Sequence, residues 1–280
     1  MRERLCTARL RQEPRRACYP HRMPAELKST THGGTMVLTI SNPELRNALG
    51  PEIYAAGVEA LDVAATQAEI RTVVITGEGR TFCAGGNLQR LQANRQQPPE
   101  VQAQSIEGLH DWIETIRNFP KPVIAAVEGP AAGAGFSLAL ACDAIVAASD
   151  AVFVMAYANI ALSPDGGATW WLTHAVPRQL ATELLMAGER IGAERLHALG
   201  VVNRGTASGS ALAEALAFAE RLNERAPNAL ASVKALLNEA AEAPLHAQLA
   251  NERDHFVRNL HHRNAGIGIA AFLAKDKPRY

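Results

Sequence analysis

Residues Lys121 to Asp150 read KPVIAAVEGPAAGAGFSLALACDAIVAASD, and the fold turns on how this stretch is parsed. Val123 to Val127 is a short apolar run, Gly129, Pro130, Gly133 and Gly135 interrupt it, and Phe136 to Ala141 resumes with helical spacing. A buried strand, a tight turn of small residues and a helix is the simplest parse. Glycine and alanine at such a junction often serve only close packing. The same geometry also presents backbone N–H groups at the positive end of a helix with no side chain to keep an anion away, as an oxyanion hole requires. The spacing fits neither G-x-G-x-x-G nor a P-loop, since no Lys-Ser/Thr pair follows Gly135.

Around this stretch, a chain of 280 residues with 48% hydrophobic content suits one large α/β domain with a helical appendage. Basic and acidic side chains balance at 28 each, but residues 1–22 hold seven arginines (Arg2, Arg4, Arg9, Arg11, Arg15, Arg16, Arg22) against Glu3 and Glu13, which leaves the remainder at −5. A mildly acidic body without a basic stripe argues against nucleic acid as a partner. No apolar run reaches the roughly 18 residues of a membrane span, and the N-terminus lacks the apolar core of a secretory signal. A soluble cytoplasmic protein is expected, or a mitochondrial-matrix one if the arginine-rich start is a transit peptide. The favoured reading of that start is a start codon set too far upstream, with Met23 opening the natural chain. Cys6, Cys18, Cys83 and Cys142 form no C-x-x-C pair or ligand spacing, so no disulfide, metal or zinc site is expected.

Residues 1–34 show no periodicity and are taken as a disordered basic extension. Residues 35–200 carry the strands and are assigned as the core, and residues 201–280 as a C-terminal helical region. Thr35 to Ile40 alternates as a strand, Pro51 opens a helix with Ile53, Val58, Leu61 and Val63 inward, and Val73 to Thr76 is a second strand. Residues 92–104 read as a solvent-facing loop, followed by a helix from Gln102 to Asn118 with Ile106, Leu109, Ile113 and Ile116 on one stripe. Ala144 to Ala148 and Val152 to Val154 supply further strands. From Ala193 the pattern is helical, with breaks expected at Gly200, Ser208-Gly209, Pro227, Pro244 and Gly266 to Gly268.

A second glycine turn, Thr81 to Leu88 (TFCAGGNL), follows the strand at Val73. If both strands lie in one sheet, both turns lie at the edge where open α/β sheets bind ligands, and two backbone N–H groups can converge on one oxygen. With Arg46-Asn47-Ala48-Leu49, Phe82 to Leu88, Lys121 to Gly129 with Gly133 to Asp143, and Ile160 to Thr169 in this order, the chain resembles the crotonase (enoyl-CoA hydratase/isomerase) superfamily from Thr35 to Tyr280.

That resemblance implies an α/β, crotonase-like spiral of ββα units in two roughly perpendicular sheets, whose C-terminal helices join subunits into a homotrimer or hexamer. It implies an acyl-CoA substrate, with coenzyme A part of the substrate and no separate cofactor. The oxyanion N–H groups map to Gly86 and Ala134. CoA contacts map to Arg46, Ala48 and Leu49 at the nucleotide end, to Ala84 and Leu88 along the pantetheine path, and to Phe272 and Lys275 from a neighbouring subunit, with Gly85 and Gly133 as further substrate contacts. For Arg46 and Lys275 a solvated surface charge is the competing reading. Trp170 and Trp171 either line the acyl pocket or pack in the core.

The acid/base positions depart from the hydratase pattern, since Ser137 and Tyr157 stand where a hydratase is similar in having two glutamates. Asp165 remains, either as a turn residue capping the helix that begins near Ala168 or as the single carboxylate that certain isomerases and a dehalogenase carry here. One carboxylate suffices to move a proton between two carbons of an acyl-CoA. The strings at Ala131 to Asp143, Pro164 to Gly167 and Ala271 to Lys275 are similar to the phenylacetate-pathway isomerase subgroup, which acts on aryl- or cycloalkenyl-acetyl-CoA. An acyl-CoA isomerase is therefore expected. The alternatives are a hydratase-like, hydrolase or dehalogenase activity, or a decayed relative that binds acyl-CoA or RNA.

Overall fold

The computed structural model describes residues 25–280. The readings placed on the arginine-rich start and on Cys6, Cys18 and Met23 lie outside the described residues. Nine strands are described: β1 (Glu26–His32), β2 (Thr35–Ser41), β3 (Thr72–Gly77), β4 (Val123–Val127), β5 (Pro130–Ala132), β6 (Ala144–Ala148), β7 (Val152–Val154), β8 (Arg190–Gly192) and β9 (Arg204–Thr206). Eleven α-helices accompany them: α1 (Pro51–Thr66), α2 (Leu88–Asn94), α3 (Pro99–Asn118), α4 (Ala134–Ala141), α5 (Ala168–Ala175), α6 (Arg178–Ala187), α7 (Ala193–Ala198), α8 (Ala211–Asn223), α9 (Pro227–Ala240), α10 (Leu245–Leu260) and α11 (Arg263–Ala274).

Six strands form one sheet in the order β1-β2-β3-β4-β6-β9, and β5-β7-β8 form a second. The large sheet is parallel from β2 to β9, with β1 antiparallel on β2. Alternate residues face two cores, because successive side chains of a strand point to opposite sides. Leu38, Ile40, Val73, Ile75, Val123, Ala125, Ile145 and Ala147 join the main core with α1, α3 and α4. Val37, Val74, Ile124, Ala126 and Val146 face the other way, against Ala211, Ala215 and Ala219 of α8. Those alanines recur every fourth residue, so one small-residue face of α8 lies flat on the strands.

The fold corrects several sequence expectations. Residues 26–32, placed in a disordered extension, form β1, paired residue for residue with β2. Edge strands exposed on one side need no apolar alternation, and ELKSTTH has none. The expected loop at 92–104 is mostly helix: Asn87 caps α2 by accepting from Gln89 N–H (2.9 Å) and Arg90 N–H (3.1 Å), and Pro99 stands at the start of α3. On α1 the inward face is Ile53, Tyr54, Gly57, Leu61 and Ala64, while Val63 is 45% exposed. Gly57 permits the helix crossing, since a Cβ there would lie 2.3 Å from the Trp112 indole of α3. The last third is not purely helical: β9 completes the large sheet and α8 covers it, so the core extends past residue 200. Gly266 and Gly268 lie inside α11 and the break falls at His262, whose side chain accepts from Asn264 N–H (3.1 Å).

Candidate active site

The small second sheet serves to hold the two glycine turns together. Cys83 N–H donates to Pro130 O (3.1 Å) and Ala132 N–H to Cys83 O (2.9 Å), a two-bond ladder between the turns. On the other side Leu49 N–H donates to Gly85 O (2.8 Å) and Ala84 N–H to Arg46 O (3.0 Å). The Arg46–Leu49, Cys83–Gly86 and Ala131–Ala134 segments thus run side by side. Gly85 (φ +87°) is required here, because a Cβ would come within 2.6 Å of Ala132 O.

Gly133 turns the chain into α4 and its N–H is tied to Val154 O of β7 (2.9 Å). Its carbonyl accepts from Phe136 N–H (2.9 Å) and Ser137 N–H (3.0 Å), which leaves Ala134 as the first residue of the helix. N–H groups in a helical first turn have no intrahelical acceptor. Among the described residues neither Ala134 N–H nor Gly86 N–H donates to another group of the chain.

A cavity of about 360 Å³ opens at this junction, with Gly86, Ala134 and Asp165 all in its walls. Leu49, Ala84, Gly85, Leu88 and Gly133 line it as well, so these expected contacts are brought together. Arg46, Ala48, Phe272 and Lys275 are not: Ala48 is buried beneath the turn, Arg46 is exposed, and Phe272 is 83% exposed at the end of α11. Trp170 and Trp171 lie outside its walls too; Trp171 packs on the core and Trp170 lies under Arg117, 4.3 Å from guanidinium to ring. A larger open groove of about 1270 Å³ runs between α1 and α3 and touches the cavity through Tyr54, Arg90 and Ser105. Its walls hold neither the glycine turns nor Asp165, so the smaller cavity is the candidate active site.

Asp165 is the sole carboxylate among the described residues lining that cavity. It does not cap α5, whose N-cap is Gly167; only its carbonyl takes part, accepting from Ala168 N–H (3.2 Å) and from Ser137 Oγ (3.1 Å). Its carboxylate Oδ1 accepts from the Tyr157 hydroxyl at 2.5 Å. Burial pushes the Asp165 carboxyl above the usual carboxylate range, while the Tyr157 hydrogen bond and nearby His110 pull it back. Burial, followed by the charge of Asp165, raises both the Tyr157 and Tyr54 hydroxyls, so both remain neutral. Ser137 is fully buried and its hydroxyl donates to the Asp165 carbonyl, while the Tyr157 hydroxyl donates to the Asp165 carboxylate.

A model of the enoyl-CoA hydratase/isomerase family matches residues 30–280. The chain belongs to that family, the crotonase superfamily. This crotonase is 35% identical over 250 residues to a 1,2-epoxyphenylacetyl-CoA isomerase of Escherichia coli, covering 88% of this chain and 95% of that one. It is 33% identical over 256 residues to a 2,3-dehydroadipyl-CoA hydratase of the same organism, covering 91% and 98%. Among solved structures, an enoyl-CoA hydratase from Polaromonas sp. JS666 superposes with a TM-score of 0.90 at 69% identity, over 91% of this chain and 99% of that one. The described crotonase chain has no group of His, Cys, Asp and Glu side chains able to hold a metal ion, and no helix long and apolar enough to cross a membrane.

The residues that motif reading missed are the rest of the cavity wall. Leu109 reads as a core position on α3 and Tyr54 falls outside the inward positions expected on α1, yet both join the core and also line the cavity. Helical periodicity marks a side chain as inward without saying whether the inside is packed or hollow.

Proposed function

We propose that this crotonase is an acyl-CoA isomerase in which Gly86 N–H and Ala134 N–H receive the thioester oxygen and Asp165 carries the proton. Asp165 takes a proton from the α-carbon, the C–H electron pair moves into the enolate whose negative oxygen lies between the two N–H groups, and the same proton is returned at a second carbon. Each main-chain donor contributes about 3 kcal/mol to the transition state, because it is already aimed where charge develops. Proton transfer by a positioned carboxylate contributes typically about 10²–10⁴-fold. The observation that carries this reading is the single carboxylate in a cavity that also holds both unused N–H groups. Activation of water alongside protonation of carbon would need a second acid or base, and Ser137 and Tyr157 are engaged with Asp165 instead. Likeness to the epoxyphenylacetyl-CoA isomerase supports an aryl- or cycloalkenyl-acetyl-CoA as substrate.

A hydratase is the second reading, favoured by the 69% identity to the Polaromonas protein. Phenylacetyl-CoA incubated in D₂O separates the two. Under the isomerase reading the enzyme exchanges its α-hydrogens, Asp165→Asn loses at least about 10²-fold of that rate, and crotonyl-CoA is hydrated slowly or not at all. Exchange that survives in Asp165→Asn, or rapid hydration with no exchange, overturns it. The reading includes assembly: exposed Phe272, with Lys275 beside it, would reach the CoA of a neighbouring copy in a trimer or hexamer, which sedimentation of the intact chain tests.

A further inference from the structure

Tyr157 occupies a place that the isomerase reading leaves without a task. It is 8% exposed and lies in the short segment between β7 and Ala158–Ile160, across the cavity from α1 and α3. Its ring packs over the oxyanion turn, since a Cβ on Gly133 would sit 3.6 Å from its Cζ, and its hydroxyl is 2.5 Å from Asp165 Oδ1. One side chain therefore lies beside the turn that carries Ala134 N–H and also hydrogen-bonds Asp165.

We propose that Tyr157 is a positioning residue for Asp165, clamping one carboxylate oxygen so that the other is presented to the substrate carbon. This rests on the isomerase reading above. Three features support it. Asp165 follows Pro164 and precedes Gly166 and Gly167, both in the left-handed region (φ +60° and +76°), so its backbone is set by Ser137 Oγ and the start of α5, while Tyr157 supplies the side-chain hydrogen bond to its carboxylate. A hydrogen bond to a charged acceptor in a poorly hydrated cavity is also short and strong. Finally, Tyr157 keeps its own proton, because burial and the adjacent carboxylate both oppose its ionisation, so it donates throughout the working pH range.

The groups that face Asp165 come from four directions: Tyr157, Tyr54 of α1, His110 of α3 and the Ser137 hydroxyl of α4. His110 is half-exposed and lies 3.9 Å from Glu107, and Tyr54 is 6% exposed and neutral. Tyr157 alone of these makes a direct side-chain hydrogen bond to the carboxylate.

The test is Tyr157→Phe, which deletes one oxygen, with exchange of phenylacetyl-CoA in D₂O followed across pH. Loss of a hydrogen bond to an anion is expected to move the acid limb of the rate profile upward by about 1–2 pH units and so to lower kcat about 5- to 50-fold at the wild-type midpoint, with KM changed less than about threefold. A merely structural tyrosine would lower the melting temperature and the plateau without moving the limb. Tyr157→Leu removes the same donor and gives the same readout should the Phe chain fold poorly. His110→Gln serves as a comparison, its limb expected to move less than that of Tyr157→Phe. Folded variants whose limb coincides with wild type overturn the proposal and leave the isomerase reading intact, whereas exchange that persists in Asp165→Asn overturns that reading itself.

Discussion

Replacing Gly85 with alanine separates what the oxyanion turn needs of its backbone from what it needs of its side chains. Gly85 has φ +87°, where an L side chain is strained by about 1–3 kcal/mol. The added Cβ would lie 2.6 Å from Ala132 O and 3.3 Å from Ala134 N, both backbone atoms that cannot rotate away. Relief requires the Ala132–Ala134 turn to retreat, and overpacking of this kind costs about 1–3 kcal/mol more. Gly85→Ala is therefore expected to lose about 2–6 kcal/mol of stability and, as the turn carries Ala134 N–H with it, about 10²-fold in exchange rate. Gly86→Ala is the internal control: its Cβ meets only Leu91 Cδ1 at 3.8 Å, an ordinary contact, and its φ lies outside the left-handed region. Its stability should stay within about 0.5 kcal/mol of wild type. Urea titration and phenylacetyl-CoA exchange measure both quantities. A Gly85→Ala protein that unfolds at the wild-type urea concentration and exchanges at the wild-type rate would refute the reasoning, as would a Gly86→Ala protein as damaged as its neighbour.

Other outcomes follow from the same structure. Lys234, 8% exposed, donates to Asp143 Oδ2 (2.7 Å) and Ile116 O (2.8 Å) and ties α9 to the core, so Lys234→Met should cost about 3 kcal/mol by urea titration, and adding Asp143→Asn should restore part of it. Burial raises the Asp165 carboxyl, so the folded chain keeps a proton that the unfolded chain has already released. Stability due to this group therefore falls as pH rises from the ordinary carboxylate range through the raised native value and is level above it. Melting temperatures measured from about pH 4 to 8 should show this decline reduced in Asp165→Asn. Burial pushes the Cys83 thiol up to about 12 and raises Cys142 as well, so neither should take up iodoacetamide at neutral pH until the protein is denatured, as peptide mapping would show.

How much could be read before folding depends on the range of the interaction. The strands at Val73, Val123 and Ala144 are evident because a strand buried on both faces is a continuous apolar run, and the two glycine turns are evident because their backbones exclude other residues. Gly86, Ala134 and Asp165 are named through the family resemblance that their contiguous motifs carry, which the residues alone do not supply. The weak strands β1, β8 and β9 are another matter. Arg204–Thr206 has no strand signature and is extended because Val146–Ala148 offers it a free backbone edge. Helix α11 runs through two glycines for want of a local stop, which His262 supplies further upstream.

The division is sharpest at the cavity. The turns that would carry charge stabilisation are local, and short stretches of chain specify them through the conformations they permit. The surroundings of Asp165 are not local: Tyr54, His110, Ser137 and Tyr157 reach it from separate elements, and no spacing between them encodes their meeting. Their convergence follows from how α1, α3 and α4 pack on one face of the sheet, because desolvation and hydrogen bonding depend on distance through space and not along the chain.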